Sequence, residues 1–390
     1  MKKYFENTEI AFALKSNSEL KRAYFLFKMI ANEPLVRIGT AVTNFCIKAN
    51  LPVDGLIKYT VFDHFCGGVS EEDCLSKVSK MFEAGVSSIL DYSVEGKEDE
   101  KHFDEAAEKI IKLISFSKNN KALPFSVFKP TGFGRFKLYE IIGEGKKLSP
   151  NEEAEWSRVE ARFDKVCKAA FHNDVPVLID AEESWMQDTA DMLVEKMMEK
   201  YNKEKAIVYN TLQMYRWDRL NYLKGLHNRA KTKQFHIGMK VVRGAYMEKE
   251  NERAIEKGYK SPICVSKMAT DENYNNAINY MLDHIDTMAI FAGTHNEESS
   301  FMLMNLLKEK NIDINDNRIV FGQLYGMSDH ITYNLAADGY NVSKYMPFGP
   351  VKDVMPYLIR RAEENTSVAG QTSRELNLLK AEKQRRKLMF

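Results

Sequence analysis

From residue 86 onward the chain alternates short apolar runs with longer stretches whose apolar positions recur near every 3.6 residues. The runs are VSSIL (86–90), FSVFK (125–129), VPVLID (175–180), AIVYN (206–210), MKVVR (239–243), MAIFAG (288–293), RIVFG (318–322) and NVSKYM (341–346). Their β-branched and aromatic content and their length predict strands, and the intervening segments are long enough for crossover helices. Near-continuous apolar strands are what burial on both faces of a parallel sheet requires. Eight such strands alternating with helices predict an α/β fold of TIM-like (β/α)8 barrel type. Before them, Leu20, Tyr24, Phe27 and Ile30 repeat at helical spacing, and Asn50-Leu51-Pro52 breaks the run. The pattern divides the chain into an N-terminal helical arm (1–80), a barrel (81–370) and a basic amphipathic tail (371–390).

Composition narrows the class. Of 390 residues 44% are apolar, so a sizeable core is expected. The 56 basic side chains against 55 acidic ones leave a formal net charge of +1, which gives no general pull toward nucleic acid. Cys46, Cys66, Cys74, Cys167 and Cys264 are scattered and form no CxxC pair, the pattern of reduced thiols in a cytoplasmic protein. His64, Cys66 and Cys74 cluster loosely, but no second Cys/His pair has ligand spacing, so no metal site is expected. The opening MKKYFENTEIAF lacks a long apolar core, and neither a signal peptide nor a membrane span is expected.

A barrel of this type presents its functional groups at the C-terminal ends of its strands. The predicted strand ends carry such groups in turn: Lys129, Asp180 with Glu182, Gln213, Lys240 with Arg243-Gly244-Ala245-Tyr246, and Thr294-His295-Asn296. The seventh strand runs to Gln323, Leu324 and Tyr325, and the eighth holds Tyr345. In MPYLIRRAEEN (355–365), one helix aligns Tyr357, Arg360, Arg361 and Glu364 at i, i+3, i+4 and i+7. Two guanidinium forks beside an aromatic ring suit a small carboxylate, and the same spacing also suits a salt-bridged surface helix.

Other chemistries lack anchors. There is no GxSxG elbow, HExxH or Walker loop, and Thr131-Gly132-Phe133-Gly134 lacks the third glycine of a dinucleotide fingerprint. The Arg243-Gly244-Ala245 turn is either a tight structural turn or a cradle in which backbone N–H groups meet a pyrophosphate.

Several segments together carry a resemblance. They are FKPTG (128–132), LIDAEESW (178–185), TLQMY (211–215), MKVVRGAYM (239–247), KMATDENY (267–274), GTHN (293–296), FGQLYGMSD (321–329) and KYMPFGPVKDVMPYLIRRAEEN (344–365). With NTEIAFALKSNSELKRAY (7–24) in the arm, they resemble the monofunctional proline dehydrogenases, flavoenzymes with a distorted (β/α)8 barrel. With 390 residues, the aldehyde-dehydrogenase half of bifunctional relatives is not expected here.

The resemblance implies oxidation of L-proline to Δ1-pyrroline-5-carboxylate by hydride transfer from C5 to N5 of FAD. This is the first step of proline catabolism to glutamate, with electrons passed on to a quinone. It implies that Lys129, Arg360 and Arg361 hold the proline carboxylate, that Leu324 and Tyr345 wall the ring, and that Glu364 supports the arginines. Asp180, Gln213, Lys240, Arg243, Gly244, Ala245, Thr294 and His295 match positions around FAD, with Lys267 and Thr270 toward the adenine. Asp180, Lys240 and Arg243 are the groups expected to act on the chemistry. Lys240 stands where many members carry Arg, and FKPTG is a loose version of its block. An aromatic ring at Tyr345 leaves little room for a ring hydroxyl, so hydroxyproline oxidation is the nearer alternative and a non-catalytic proline-binding barrel the further one. The tail mixes Leu376, Leu378, Leu379, Leu388, Met389 and Phe390 with Lys380, Lys383, Arg385, Arg386 and Lys387. That mixture suits peripheral contact with the inner membrane or plain docking on the domain.

Overall fold

The computed structural model describes residues 3–32, 34, 61–93, 98–367 and 371–388, with the side chains of 362–367 and 371 outside the description. Cys46 and the 50–52 break lie outside the described residues. Eight parallel strands form a nearly closed barrel: β1 (Val86–Tyr92), β2 (Ser126–Phe128), β3 (Val177–Ile179), β4 (Val208–Gln213), β5 (Ile237–Val242), β6 (Met288–Gly293), β7 (Ile319–Leu324) and β8 (Val342–Phe348). Their order is β1-β8-β7-β6-β5-β4-β3-β2, so consecutive strands neighbour one another from β2 to β8 and β1 joins β8. Each of the eight apolar runs became one of these strands, shifted by a few residues at its ends.

The chain resolves into two compact units, Met1–Glu95 with Gln323–Phe390, and Gly96–Gly322. In the second unit, helices α3 (Glu100–Ser117), α4 (Phe136–Gly143), α5 (Pro150–Asn173), α6 (Ser184–Tyr201), α7 (Arg219–Lys233), α8 (Met247–Lys257), α9 (Lys267–Leu282) and α10 (Glu297–Glu309) separate the strands. Phe125 meets Tyr209 and Phe291 edge-on, each with ring centroids 5.7 Å apart. Gly322 makes this packing feasible, because a Cβ there would lie 2.1 Å from the Phe291 ring. Ion pairs join outer helices to one another, α3 to α5 through Arg162 with Glu100 and Asp104, α5 to α6 through Lys196 with Glu160, and α6 to α7 through Arg229 with Glu195.

The first unit holds α1 (Asn17–Ile30), α2 (Glu71–Glu83), α11 (Asp329–Ala337), α12 (Met355–Ser367) and α13 (Gln371–Arg385). Helix α1 starts at a capping box of Ser16 and Glu19, which satisfies its first donors. The helical period expected there is present: Leu20, Phe27 and Ile30 are buried. Leu378 and Leu379 of α13 are buried with Ala11, Phe12, Leu20, Ala23 and Phe27, so these tail leucines dock on the arm, while Met389 and Phe390 lie outside the described residues. Each fully buried leucine contributes roughly 2 kcal/mol. No helix among the described residues is long and apolar enough to cross a membrane.

Candidate active site

The charged groups at the ends of β3 to β6 are built from the Gly96–Gly322 unit alone. Asp180 follows β3, and its N–H donates to the Phe128 carbonyl at 2.9 Å, which fixes the turn beyond the strand. Lys240, on β5, is only 7% exposed and donates to the Asp180 carboxylate. An ammonium this buried requires a close counter-charge, and Asp180 supplies it.

Arg243 follows β5 and is held on four sides. It donates to Asp271 Oδ1 at 2.7 Å, to Thr294 Oγ1 at 2.8 Å and to Ser299 Oγ at 2.8 Å, and its guanidinium lies over the Tyr274 ring at 4.5 Å. Lys267 donates to the other Asp271 oxygen at 2.7 Å. Burial raises the Asp271 carboxyl, but the hydrogen bonds from Lys267 and Arg243 outweigh it and leave the group below its ordinary value. Gly244 takes a φ of +130°, a conformation that favours glycine, and a Cβ there would meet the Tyr215 ring at 2.5 Å. Gly244 and Ala245 are exposed, Thr294 and Thr270 are buried, and His295 is half-buried just past β6. Gln213 closes β4 with its side chain buried, and its Oε1 has no hydrogen-bond partner among the described residues.

Lys129 follows β2 and is half-buried. The turn after it, Pro130–Gly132, is clamped by Glu182, whose carboxylate accepts the Thr131 N–H at 3.0 Å and the Thr131 hydroxyl at 2.7 Å. Burial pushes the Glu182 carboxyl up to about 7, against the opposing effects of the Lys129 charge and the Thr131 hydrogen bonds.

The other unit carries an aromatic and guanidinium set. Tyr345, on β8, is 7% exposed, and its carbonyl accepts the Tyr325 N–H at 2.7 Å, which ties the residue after Leu324 to β8. Pro356 sits in the first turn of α12, where a missing N–H costs little. Tyr357 and Leu358 of this helix are buried against Leu26, Phe62, Phe65 and Met327. Arg360 and Arg361 follow on it, with the Arg361 guanidinium 5.2 Å from the Tyr357 ring centroid. Glu364 belongs to the same helix, and its side chain lies outside the described residues.

Comparison with known proteins gives this arrangement its context. Residues 74–374 match the family model described as proline dehydrogenase. The chain belongs to the proline dehydrogenase family. It is therefore an oxidoreductase of a family of FAD enzymes. The chain is 37% identical over 362 residues to the carbapenem antibiotics biosynthesis protein CarD of Pectobacterium carotovorum subsp. carotovorum, covering 92% of this chain and 94% of that one. It is 30% identical to the mitochondrial proline dehydrogenase 1 of Dictyostelium discoideum, over 97% of this chain and 74% of the relative. The crystal structure of proline utilization A from Bdellovibrio bacteriovorus, inactivated by N-propargylglycine, superposes on 95% of this chain with a TM-score of 0.72 at 20% identity. This chain spans 40% of that longer one, and the likeness shows the shared fold.

Within this family member, spacing along the chain pointed to Arg243, Lys240, Asp180 and Thr294, but not to Asp271 and Ser299, which also hold Arg243. Asp271 lies 28 positions away and Ser299 lies 56. Glu182 stood out only as a second acid at a strand end, and the clamp it forms on Thr131 spans 51 positions. His64, from the loose cysteine cluster, bonds through Nε2 to the Gly326 carbonyl at 2.9 Å, and Cys74 donates to the Ser70 carbonyl at 3.2 Å.

Proposed function

We propose that the chain oxidises L-proline to Δ1-pyrroline-5-carboxylate with FAD as its cofactor and a quinone as the onward electron acceptor. The observation that carries this reading is the buried Lys240–Asp180 pair at the strand ends of a proline dehydrogenase family member. When bound, FAD supplies the acceptor for the hydride that leaves proline C5.

The donor set suits a flavin dinucleotide. Gln213 offers a buried amide oxygen that a polar ring edge would satisfy. Exposed backbone at Gly244 and Ala245, beside the fixed Arg243 cation, suits a pyrophosphate. Thr294 and His295 extend that polar edge, and Lys267 and Thr270 are assigned to the adenine side. Lys240, held in place by its ion pair with Asp180, is assigned to the positive charge that would stabilise incoming electron density, and a preformed charge of this kind costs no reorganisation during reaction.

Arg360 and Arg361 are assigned to the substrate carboxylate, and Lys129 is given a carboxylate-binding role on its motif. Guanidinium groups stay charged at any working pH and grip both carboxylate oxygens, which orients the ring for transfer. Leu324 and Tyr345 are assigned to the ring faces, and Glu364 to the support of the arginines. The substrate amine must be neutral, so that its lone pair can drive the hydride from C5.

An anaerobic visible spectrum of the purified protein before and after L-proline tests this reading. Bleaching of an oxidised-flavin band by proline, and more weakly by hydroxyproline, is expected. A protein that binds FAD but is bleached by neither would overturn it.

A further inference from the structure

Beside the residues assigned to the substrate wall lies a buried group of charges that hydride transfer does not use. Lys344 precedes Tyr345 on β8 and is 0% exposed. Strand alternation puts the two side chains on opposite faces, so Lys344 reaches away from the ring that Tyr345 presents. Its ammonium donates to Asp329 Oδ1 at 2.9 Å, to the Leu324 carbonyl at 3.3 Å and to the Met327 carbonyl. The second Asp329 oxygen accepts Lys15 of the N-terminal arm at 3.0 Å. Glu375 of α13 adds a fourth charge to the same field and lies 3.5 Å from His330. Two ammonium and two carboxylate groups thus offset one another in the interior.

The segment that Lys344 grips is a tight turn, closed by the Met327 N–H on the Leu324 carbonyl at 3.2 Å, that runs through two left-handed residues. Between Leu324 and Asp329, Gly326 has a φ of +79° and Ser328 a φ of +53°, the latter rare for a side-chain-bearing residue. A Cβ at Gly326 would lie 2.3 Å from the His64 carbonyl. Lys344 fixes both ends of this turn through main-chain carbonyls, and the Tyr325 N–H on the Tyr345 carbonyl fixes it to β8. A buried ion pair is weak evidence for stability by itself, because apolar side chains of similar volume often serve as well. Its bonds to the carbonyl of Leu324 give this one a positional task.

We propose that Lys344, Asp329 and Lys15 are positioning residues that set Leu324 against Tyr345, so that the N-terminal arm helps decide which pyrrolidine ring is accepted. The inference rests on the assignment of Leu324 and Tyr345 to the substrate ring. Its test uses the flavin-loaded full chain with Lys15→Met, Lys15→Arg and Asp329→Asn. Lys15→Met is expected to raise KM for proline about threefold or more, and to shift the hydroxyproline-to-proline ratio of kcat/KM by a similar factor, with kcat within about twofold. Lys15→Arg restores both, and Asp329→Asn moves them further in the same direction. Amide hydrogen exchange supplies a readout independent of activity: Leu324 to Ser328 are expected to exchange faster in Lys15→Met than in the parent. Unchanged KM, ratio and exchange in a folded Lys15→Met protein would overturn the proposal, as would activity lost only in proportion to flavin content. Lys15 is the most exposed of the three, so it decides the matter even if Asp329→Asn fails to fold. Faster exchange in a chain whose parent oxidises neither amino acid would defeat the ring assignment and keep the tether.

Discussion

The groups at the ends of β3 to β6 and those around β7 and β8 solve the same problem in opposite ways. In the first region the charged residues assigned to chemistry are themselves the structural ion pairs: Lys240 with Asp180, and Arg243 with Asp271. In the second, the residues assigned to the substrate ring are neutral, and separate charges lie beside them: Lys344 bonds the Leu324 carbonyl and shares Asp329 with Lys15. Mutational sensitivity is expected to differ accordingly. Charge removal in the first region strikes reactivity directly, whereas in the second it strikes fit.

The largest effect is expected at Arg361, one of the two arginines of the second region that are assigned to the substrate carboxylate. Arg361→Met should lower kcat/KM for proline by about a hundredfold or more, from loss of about 3 kcal/mol of charge-assisted binding, with flavin content unchanged. A smaller loss, or one accompanied by flavin release, would move Arg361 to the structural side of the comparison.

Asp180→Asn sharpens the contrast next. It leaves the buried Lys240 ammonium without its counter-charge, at about 3 kcal/mol. Stability in urea, flavin retention and kcat should fall together, and the Lys240→Met double variant should recover part of the stability but none of the rate. Full additivity of the two single changes would break the idea that the pair acts as one unit.

A third test uses pH. The Glu182 carboxyl is raised from 4.5 to about 7 in the folded chain, so between those values the folded state holds a proton that the unfolded state has lost. Glu182 therefore lowers stability progressively as pH rises through that window, by on the order of 3 kcal/mol, and its contribution levels off above about pH 7. Urea midpoints from pH 4.5 to 8 should show this decline in the parent, and Glu182→Gln should lack it. An identical decline in both would place the titration elsewhere. The smallest effect is expected on the outer face, where Arg229→Ala, which breaks a half-exposed pair with Glu195, should cost about 0.5 kcal/mol and leave kcat/KM unchanged.

Much of this molecule is legible along the chain. All eight strands coincide with apolar runs, because a strand buried on both faces needs nothing beyond local β-propensity and apolarity. The Arg360 and Arg361 helix is equally local, fixed by spacing and by the prolines near its start. The site is legible only in part. Lys240, Arg243 and Asp180 can be picked out from where their strands end, but neither the pairing of Lys240 with Asp180 nor Asp271 as the acid of Arg243 can.

The alternation of elements, the barrel class, the arm helix, the family and the strand-end position of the polar groups can all be read along the chain. These follow from period, propensity and motif, which act over a few neighbouring residues. Folding adds what no local pattern carries: Arg243 takes Asp271 and Ser299, Glu182 clamps the turn after Lys129, the arm covers Leu378 and Leu379 of the tail, and Lys15 and Lys344 share Asp329. The physical reason is that a charge chooses its partner by distance and dielectric, and both are set by how remote segments pack.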